Sequence, residues 1–530
     1  MASLKIFSSF WLLIFVIFSF FTLSLQKDEE SGGDINSWCQ TTPHPNQCKY
    51  FLGRGQHHAP QHRADFRMLA LQAAIDNANE AQGCAKDLGK MCQTTAKQAV
   101  WNDCYKLVNN TIFQLNQTLT GLKNNQISDF DAQTWLSAAL TNLHTCFTGC
   151  VDLNVTDFVT PIKSSNLTEM ISNSLAINHG FLKQNVTSDQ TNDFPTWVTR
   201  LDRRLLATVS IQSIANVTVS QAEGSTFPTI QSALDYAESI DRQNQRFVIY
   251  IKSGVYNENI QIPYELNNIM FVGDGIRYTI ITGNRSVAGG STTYSSATVG
   301  IDGSGFIARG ITFRNTAGPE GAQAVALRSS SDLSVFYACS IEGYQDTLFA
   351  VSQRQFYKLC YISGTVDFIF GNAAVVFQNC VLLVRRPLSG QTNTITAQGR
   401  GDPFQNSGIS IHNCRVVPAP DLLPVVGSVQ TYLGRPWQEF SRTVFLKTYM
   451  DGFVNPKGWL PWGNTDFAFT TLYYGEYDCF GNGSAIENRV NWLGYHNNMS
   501  LIEAQDFTVE RLIAGRMWLP ATGVPFIAGM

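Results

Sequence analysis

Four cysteines at near-regular intervals constrain the second half of the chain to a coiled, repeating fold. The segments FYAC, YKLC, FQNC and IHNC end at Cys339, Cys360, Cys380 and Cys414, at intervals of 21, 20 and 34 residues. The surrounding apolar runs are short and are punctuated by Gly and Asn rather than by helices. Runs this apolar, without clean alternation, indicate strands buried on more than one side. The spacing therefore predicts an irregular solenoid, most simply a parallel β-helix with one longer loop.

The stacked cysteines are candidates for a disulfide. Equivalent positions on adjacent coils of a β-helix lie about 4.8 Å apart, within the Cα separation that a disulfide accepts. Cys360 is therefore expected to reach either neighbour, in a Cys360–Cys380 or a Cys339–Cys360 bridge, and the spacing does not choose between them. Buried free thiols in a β core are the alternative.

The same repeat carries two aspartates. IEGYQDTLF (341–349) and ISGTVDFIF (362–370) align with Asp346 over Asp367, each seven residues after the cysteine of its coil. Stacked coils would bring the two carboxylates together among apolar side chains. Two close carboxylates in a poorly solvated site do not both ionise readily, so the pKa of one of them rises. The pattern predicts a proton donor beside a nucleophile or base; the alternative is two turn aspartates that bind backbone amides.

Amide, cationic and aromatic side chains are candidates for the same site. Gln323 lies 22 residues before Gln345, so the coil spacing predicts two amides near the carboxylates, where they would stabilise an oxyanion. Arg435 and Trp437, in YLGRPW, would supply a permanent cation and a flat face for a sugar ring. The second half contains no Gly-x-Ser-x-Gly motif and only two histidines. A serine triad or a histidine-based metal site is therefore poorly supported, and carboxylate chemistry is favoured.

Residues 35–185 have a helical pattern instead. Three long segments space their apolar residues three and four apart, and a shorter fourth helix is expected at 168–181. Long helices with short loops predict an antiparallel four-helix bundle. Two disulfides are expected here, Cys39–Cys48 across an N-terminal hairpin and Cys104–Cys146 between two helices.

The N-terminus and the overall charge bear on the compartment. Lys5 precedes an apolar run that ends near Leu25, which predicts a signal peptide at 1–25, with an uncleaved membrane anchor as the alternative. Nine Asn-x-Ser/Thr acceptors and 12 cysteines fit the secretory pathway. The formal net charge of -4 gives no reason to expect nucleic acid as a partner. We therefore expect a secreted protein.

A polar stretch at 186–212 separates the two halves. It contains a dibasic pair in a stretch without periodic structure, which suits a processing protease because cleavage requires locally unfolded chain. An ordinary exposed charged turn is the alternative. The tetrapeptide consists of Arg203, Arg204, Leu205 and Leu206.

From about residue 213 to 530 the chain closely resembles plant pectin methylesterases. The resemblance rests on five separated blocks in the family's order: GVYNE (254–258), QAVALR (323–328), GYQDTL (343–348), GTVDFIFG (364–371) and YLGRPW (432–437). Residues 35–185 resemble the pectin methylesterase inhibitor-like pro-region that precedes many of these enzymes, and RRLL resembles the family's processing site. The resemblance thus implies a signal peptide, a helical pro-region, a linker with a processing site and a catalytic domain at 213–530.

The resemblance implies a right-handed parallel β-helix that needs no metal or organic cofactor. It implies removal of methyl esters from the galacturonate C6 carboxyls of pectin, with release of methanol. Asp367 would be the nucleophile, and Asp346 would protonate the departing methanol and then activate water. Gln323 and Gln345 would stabilise the tetrahedral oxyanion, and Arg435 would pair with Asp367. Substrate contacts are implied for Thr293, Gln323, Arg435 and Trp437.

The partners implied are methyl-esterified homogalacturonan in the plant cell wall, a processing protease and an inhibitor protein, with the chain itself a monomer. Ala322 stands where many relatives have histidine, and the resemblance assigns no disulfide partner to Cys84, Cys92, Cys150 or Cys479. Two other functions remain open. A β-helix pectin depolymerase would also use carboxylates, which an inverting glycosidase holds about 6.5 to 9.5 Å apart. The N-terminal bundle would alternatively be an esterase inhibitor or interaction module.

Overall fold

The structure, a computed structural model, describes residues 35–53, 60–182 and 214–530. The predicted signal peptide at 1–25 and linker at 186–212, including Arg203 to Leu206, lie outside the described residues. In the part of the chain that is described, no helix combines the length and the apolar character needed to cross a membrane.

The first described region is helical, as predicted. Two helix starts follow from local chemistry: the Thr94 hydroxyl accepts the Lys97 N–H, and Ser128 and Asp131 cap each other reciprocally. Helices α3, α4, α5 and α7 pack together as a bundle, which Cys39–Cys48 and Cys104–Cys146 disulfides cross-link. The helices described between residues 35 and 182 are α1 (Ile35–Cys39), α2 (Pro45–Leu52), α3 (Arg63–Leu88), α4 (Thr95–Lys123), α5 (Asp129–Asp152), α6 (Thr160–Lys163) and α7 (Leu167–Leu182).

Residues 214–530 form a parallel β-helix, which confirms the predicted fold class. Three parallel sheets run along it, because each central coil contributes one strand to each sheet, whereas the coils at the ends contribute to fewer sheets. The eleven-strand sheet contains Val217–Val219, Phe247–Ile251, Ile269–Gly273, Ile307–Arg309, Ser334–Tyr337, Arg354–Lys358, Ala374–Gln378, Gly408–His412, Arg442–Leu446, Tyr473–Tyr477 and Tyr495–His496. The eight-strand sheet contains Gly254–Asn257, Thr279–Gly283, Thr312–Asn315, Ser340–Glu342, Tyr361–Gly364, Val381–Val384, Arg415–Pro418 and Tyr449–Met450. The seven-strand sheet contains Ile260–Ile262, Val299–Ile301, Leu327–Ser329, Leu348–Ala350, Ile369–Gly371, Asn393–Gln398 and Thr431–Gly434.

Short helices complete the second region. Ile230–Ser239 follows the first strand, with the Thr229 hydroxyl accepting the Ser232 N–H at its start. Three more helices, Leu501–Gln505, Val509–Leu512 and Gly515–Thr522, lie near the C-terminus. Side chains of the last two, including Trp518 and Leu519, pack on the outer face of the eleven-strand sheet.

The repeated segments pair in register. Ile341 lies opposite Ile362, and Leu348 lies opposite Ile369. Asp346 and Asp367 therefore occupy equivalent positions on adjacent coils, in the turn that leads into the seven-strand sheet. Both residues have left-handed backbone conformations, with φ of 59° and 51°, which aspartate tolerates better than most residues. The turn geometry thus directs two equivalent carboxylates to the same side of the fold.

The stacked cysteines are not bridged, so the expectation of a Cys360–Cys380 or Cys339–Cys360 disulfide is wrong. Cys339, Cys360, Cys380 and Cys414 all carry buried free thiols, which was the alternative. The Cys360 N–H donates to the Cys380 sulfur at 3.4 Å, and the Cys380 N–H donates to the Cys414 sulfur at 3.3 Å. The Cys360 thiol in turn contacts the Phe336 carbonyl at 3.3 Å. The sulfurs thereby extend the backbone hydrogen-bond ladder between coils.

A thiol titration tests this arrangement. Eight cysteines are free, so the unreduced protein unfolded in denaturant should present eight reactive thiols, and the same protein after full reduction should present all 12. A count of two thiols fewer without reductant, with peptide mapping that places the extra disulfide among the stacked cysteines, would contradict the thiol ladder.

Candidate active site

The two stacked aspartates face a cavity of about 250 Å³. It lies on the outer face of the seven-strand sheet, opposite the core residues Leu348 and Ile369. Phe349 and Phe370, which alternate with those core residues, point into the cavity instead. All the catalytic and substrate-contact candidates from the sequence line this one cavity: Thr293, Gln323, Gln345, Asp346, Asp367, Arg435 and Trp437.

Asp367 is held by a cation and a hydroxyl. Arg435 donates from Nε to Oδ1 at 2.9 Å and from Nη2 to Oδ2 at 2.6 Å. The Thr394 hydroxyl donates to Oδ1 at 2.5 Å, and the Asp367 N–H donates back to that hydroxyl at 2.9 Å. Charge-assisted bonds of this kind fix both position and orientation. Asp367 therefore presents a rigidly oriented carboxylate to the cavity.

Asp346 has a different environment although it occupies the equivalent position. Burial raises the pKa of Asp346 well above its ordinary value, and the negative charge of Asp367 raises it further, with a smaller contribution from Asp152 and an opposing one from Arg435. The Asp346 carboxyl is thus suited to carry a proton beside an oriented carboxylate. The two aspartates therefore occupy equivalent positions in unequal surroundings.

Aromatic rings line the cavity beside the carboxylates. Phe349 and Phe370 stack at 4.3 Å, and Trp437 meets the edge of Phe370 at 5.8 Å. Trp462, which the sequence reasoning missed, also lines the cavity, and the Arg435 guanidinium lies 4.5 Å from the centre of its ring. This arrangement offers flat apolar faces of the kind that stack against a sugar ring.

The helical bundle supplies part of the cavity wall. Thr145, Thr148 and Asp152, near the C-terminal end of α5, line the cavity together with the two aspartates. Asp152 accepts a hydrogen bond from the Thr293 N–H at 2.8 Å. The Asp152 carboxylate of the bundle therefore accepts the backbone N–H of Thr293, a residue for which the resemblance implies a substrate contact.

Ion pairs with partly or fully buried members fasten the bundle to the β-helix. Lys106 of α4 reaches Asp302 at 2.6 Å. Burial opposes ionisation of Asp302, but Arg328 and Lys106 hold its pKa below the ordinary value. On the other side, Asp131 of α5 pairs with Arg354 at 2.7 Å. In the first pair the bundle carries the positive charge, and in the second it carries the negative charge. The two pairs therefore fix the orientation of the bundle as well as its position.

A loop of the β-helix adds polar contacts to the same interface. The Gln133 side chain donates to the Phe404 carbonyl at 2.5 Å, and Ser172 donates to Asp402 at 2.6 Å. The Gln405 side chain donates to the Ser137 carbonyl at 2.9 Å. No sequence signal identified these contacts, because they join residues more than two hundred positions apart with no shared motif.

Comparisons with known proteins agree with this architecture. The sequence profile of the Pectinesterase family matches residues 216–516, and that of the Plant invertase/pectin methylesterase inhibitor family matches residues 33–177. The chain is 53% identical to "Probable pectinesterase/pectinesterase inhibitor 59" of Arabidopsis thaliana, over 98% of this chain and 97% of that protein. It is 50% identical to "Pectinesterase 2" of Citrus sinensis, over 98% and 99% of the two chains.

A solved structure resembles the β-helix. The structure "Pectin methylesterase from Carrot" is 52% identical, with a TM-score of 0.58, and the match covers 60% of this chain and 98% of the carrot chain. Together with the parallel sheets, this similarity supports the right-handed parallel β-helix implied by the sequence blocks.

The interface should weaken as pH rises. Burial raises the pKa of Asp103 on α4 from 3.8 to about 6, although Thr292 donates a hydrogen bond to it. Because the pKa of Asp103 is higher in the docked state, protonation of Asp103 favours docking. This favourable contribution to the docking free energy is fully present below pH 4 and is lost as the pH rises through about 6. After a cut in the 186–212 segment, the Kd between bundle and β-helix should therefore rise about a hundredfold between pH 4 and pH 7.

The control for this pH dependence is Asp103→Asn, which keeps a polar side chain of similar size but does not titrate. Calorimetric or fluorescence titration of the cut protein should show a much flatter pH profile for this variant. An unchanged steep profile in Asp103→Asn would contradict the assignment to Asp103.

Proposed function

The chain belongs to the pectinesterase family, and we propose that it removes the methyl esters of galacturonate units in pectin through a covalent acyl-enzyme, releasing methanol. The observation that carries the mechanism is the stacked pair of carboxylates in unequal surroundings. Asp367 is oriented by Arg435 and Thr394, whereas the pKa of Asp346 is raised by burial and by Asp367. Such a pair separates a nucleophile from a proton carrier.

In the first half of the reaction, an Asp367 oxygen attacks the C6 carbonyl of a methyl-esterified galacturonate. The negative charge that develops on the carbonyl oxygen is stabilised by the side-chain amides of Gln323 and Gln345, which line the same cavity. Asp346 donates its proton to the methoxy oxygen as the C–O bond breaks. Methanol leaves, and the galacturonyl group remains bound to Asp367 as an anhydride.

In the second half, Asp346 has lost its proton and acts as the base. It accepts a proton from a water molecule that attacks the acyl carbonyl, and the bond to Asp367 breaks. The new galacturonic acid carboxyl keeps the second proton of the water and loses it to solvent on release, while Asp346 is protonated again and Asp367 regains its negative charge. Trp437, Trp462 and the stacked Phe349 and Phe370 supply apolar surface for the polysaccharide.

We further propose that the bundle (35–185) is a pro-region that keeps the esterase (213–530) closed until the linker is cut at Arg203–Leu206. The contacts that support this are Asp152 in the cavity and the Lys106–Asp302 pair between the bundle and the β-helix. In this proposal the α5 residues in the cavity wall, with Asp152 bonded to the Thr293 N–H, hinder entry of a polysaccharide chain. In this proposal the chain carries a signal peptide (1–25) and reaches the plant cell wall as a monomer, where the esterase acts after cleavage.

Substitution of the aspartates tests the mechanism. In the cut protein, Asp346→Asn should lower the rate of methanol release from methyl-esterified pectin by about 100- to 10,000-fold, because general acid–base catalysis is lost. Asp367→Asn should cause at least as large a loss, since the covalent route is closed. Asp235→Asn, an exposed carboxylate on the helix Ile230–Ser239, is the matched control and should retain activity.

Two outcomes of this assay would contradict the proposal. Substantial methanol release by Asp367→Asn would exclude the covalent mechanism. Shortening of the pectin chains by the wild-type protein, measured by size-exclusion chromatography, would favour a depolymerase instead.

Cutting the linker tests the role of the bundle. A chain with a specific protease site inserted in 186–212 should release methanol at least about ten times faster after cutting and separation of the bundle. Lys106→Met should raise the activity of the uncut chain, because docking loses roughly 2 kcal/mol with a charge-assisted hydrogen bond. Lys123→Met, at the exposed end of the same helix, is the control. Equal activity before and after cutting would contradict the closed state.

A further inference from the structure

The equivalent positions of the two aspartates continue into a third coil. Leu348 pairs with Ile369, and Ile369 pairs with Thr396. Two residues earlier on each coil, the same register places Asp346, Asp367 and Thr394 in one column. Asp367 therefore has a carboxyl on one side and a hydroxyl on the other.

Because of this column, the backbone N–H groups of the two aspartates donate to different kinds of acceptor. The Asp346 N–H donates to a backbone carbonyl of the next coil, that of Val366, at 3.0 Å. The Asp367 N–H donates instead to the Thr394 hydroxyl at 2.9 Å. That hydroxyl is fully buried, and its own proton is directed to Asp367 Oδ1 at 2.5 Å. One hydroxyl thus links the backbone and the carboxylate of the same residue.

The two oxygens of Asp367 consequently differ in their free lone pairs. Oδ1 accepts from Thr394 at 2.5 Å and from Arg435 Nε at 2.9 Å. Oδ2 accepts from Arg435 Nη2 at 2.6 Å and only a longer contact from Nε at 3.2 Å. A carboxylate oxygen has two lone-pair sites. Two short hydrogen bonds engage both sites on Oδ1, whereas Oδ2 has one short bond and only the longer half of a bond that Nε shares between the two oxygens, so Oδ2 is the less engaged oxygen.

We propose that Thr394 is a positioning residue for the esterase reaction: its hydroxyl occupies Oδ1 and thereby presents Oδ2 of Asp367 as the attacking oxygen. The inference rests on the proposed function, because it assumes that Asp367 is the nucleophile. Thr394 does not exchange a proton in this scheme. It donates the same hydrogen bond before and after acylation and acts only through Asp367.

The groups that face Asp367 come from several elements. The charged or titratable groups are Asp346 on the preceding coil, Arg435 in the turn after Thr431–Gly434, and Tyr474 in the strand Tyr473–Tyr477. Asp152 of the bundle adds a further carboxylate near Asp346 in the uncut chain. Thr394 is a neutral donor that bonds to Oδ1 alone, whereas Arg435 donates to both oxygens.

The experiment compares three variants in the cut protein after removal of the bundle. Thr394→Val replaces the hydroxyl with a methyl group of similar size. Thr394→Ser retains the hydroxyl. Thr396→Val is the matched control, because Thr396 lies in the same strand, is also fully buried and donates its hydroxyl proton to the Leu433 carbonyl rather than to a carboxylate.

Thr394→Val should lower kcat for methanol release about ten- to a hundredfold and leave KM within about twofold of wild type. The acidic limb of its kcat/KM profile should move to higher pH, because a carboxylate that loses a hydrogen-bond donor is protonated more readily. Thr394→Ser should restore both kcat and the position of the acidic limb. Thr396→Val should lower the melting temperature about as much as Thr394→Val, without moving the acidic limb.

The outcomes distinguish failure of this inference from failure of the proposed function. If Thr394→Val and Thr396→Val have the same kcat and the same pH profile while Asp367→Asn is inactive, Thr394 has only a structural role and the inference is overturned. If Asp367→Asn remains active, Asp367 is not the nucleophile. The proposed mechanism is then wrong, and the inference about Thr394 is overturned with it. A shifted acidic limb in Thr394→Val alone supports the inference.

Discussion

The parallel register between coils is the constraint on which the rest of the site depends. Because Leu348 stacks on Ile369, the two turns before them deliver Asp346 and Asp367 to one wall of one cavity. The apolar residues of those strands desolvate the pair, which is the main cause of the raised pKa of Asp346. A fold that repeats its backbone thus produces two equivalent carboxylates, and only their neighbours make them chemically different.

The helical bundle packs on the same face of the β-helix, where its helix α5 lines the cavity with the two aspartates. It adds charged partners to the β-helix at two separated points, through Lys106 and Asp131, and it places Asp103 against Thr292 and Asp152 in the wall of the cavity. Burial raises the pKa of both of these aspartates. The closed arrangement therefore concentrates carboxyl groups with raised pKa values at one interface. In the proposed function, cleavage of the linker and rising pH both favour exposure of the cavity.

The sequence allowed prediction of those features that depend on local pattern or on coil spacing. The helical bundle and the parallel β-helix follow from periodicity and from the cysteine intervals, and they are confirmed. The cavity also brings together Gln323, Gln345, Arg435 and Trp437. The Cys360 disulfide was wrong because Cα spacing permits a bridge but does not show whether the sulfurs bond to backbone groups instead. Trp462, Asp152 and Thr394 were missed because their roles arise from three-dimensional packing between distant segments.

The central claim is that equivalent aspartates have separate roles, with the covalent bond formed at Asp367. Rapid quenching of the cut protein with hydroxylamine during turnover of methyl-esterified oligogalacturonate, followed by peptide mass mapping, tests this directly. A hydroxamate on the peptide at Asp367, absent without substrate, is the result expected for an aspartyl anhydride attacked at the enzyme carbonyl. A substrate-dependent hydroxamate at Asp346, with Asp367 unmodified, would contradict the account.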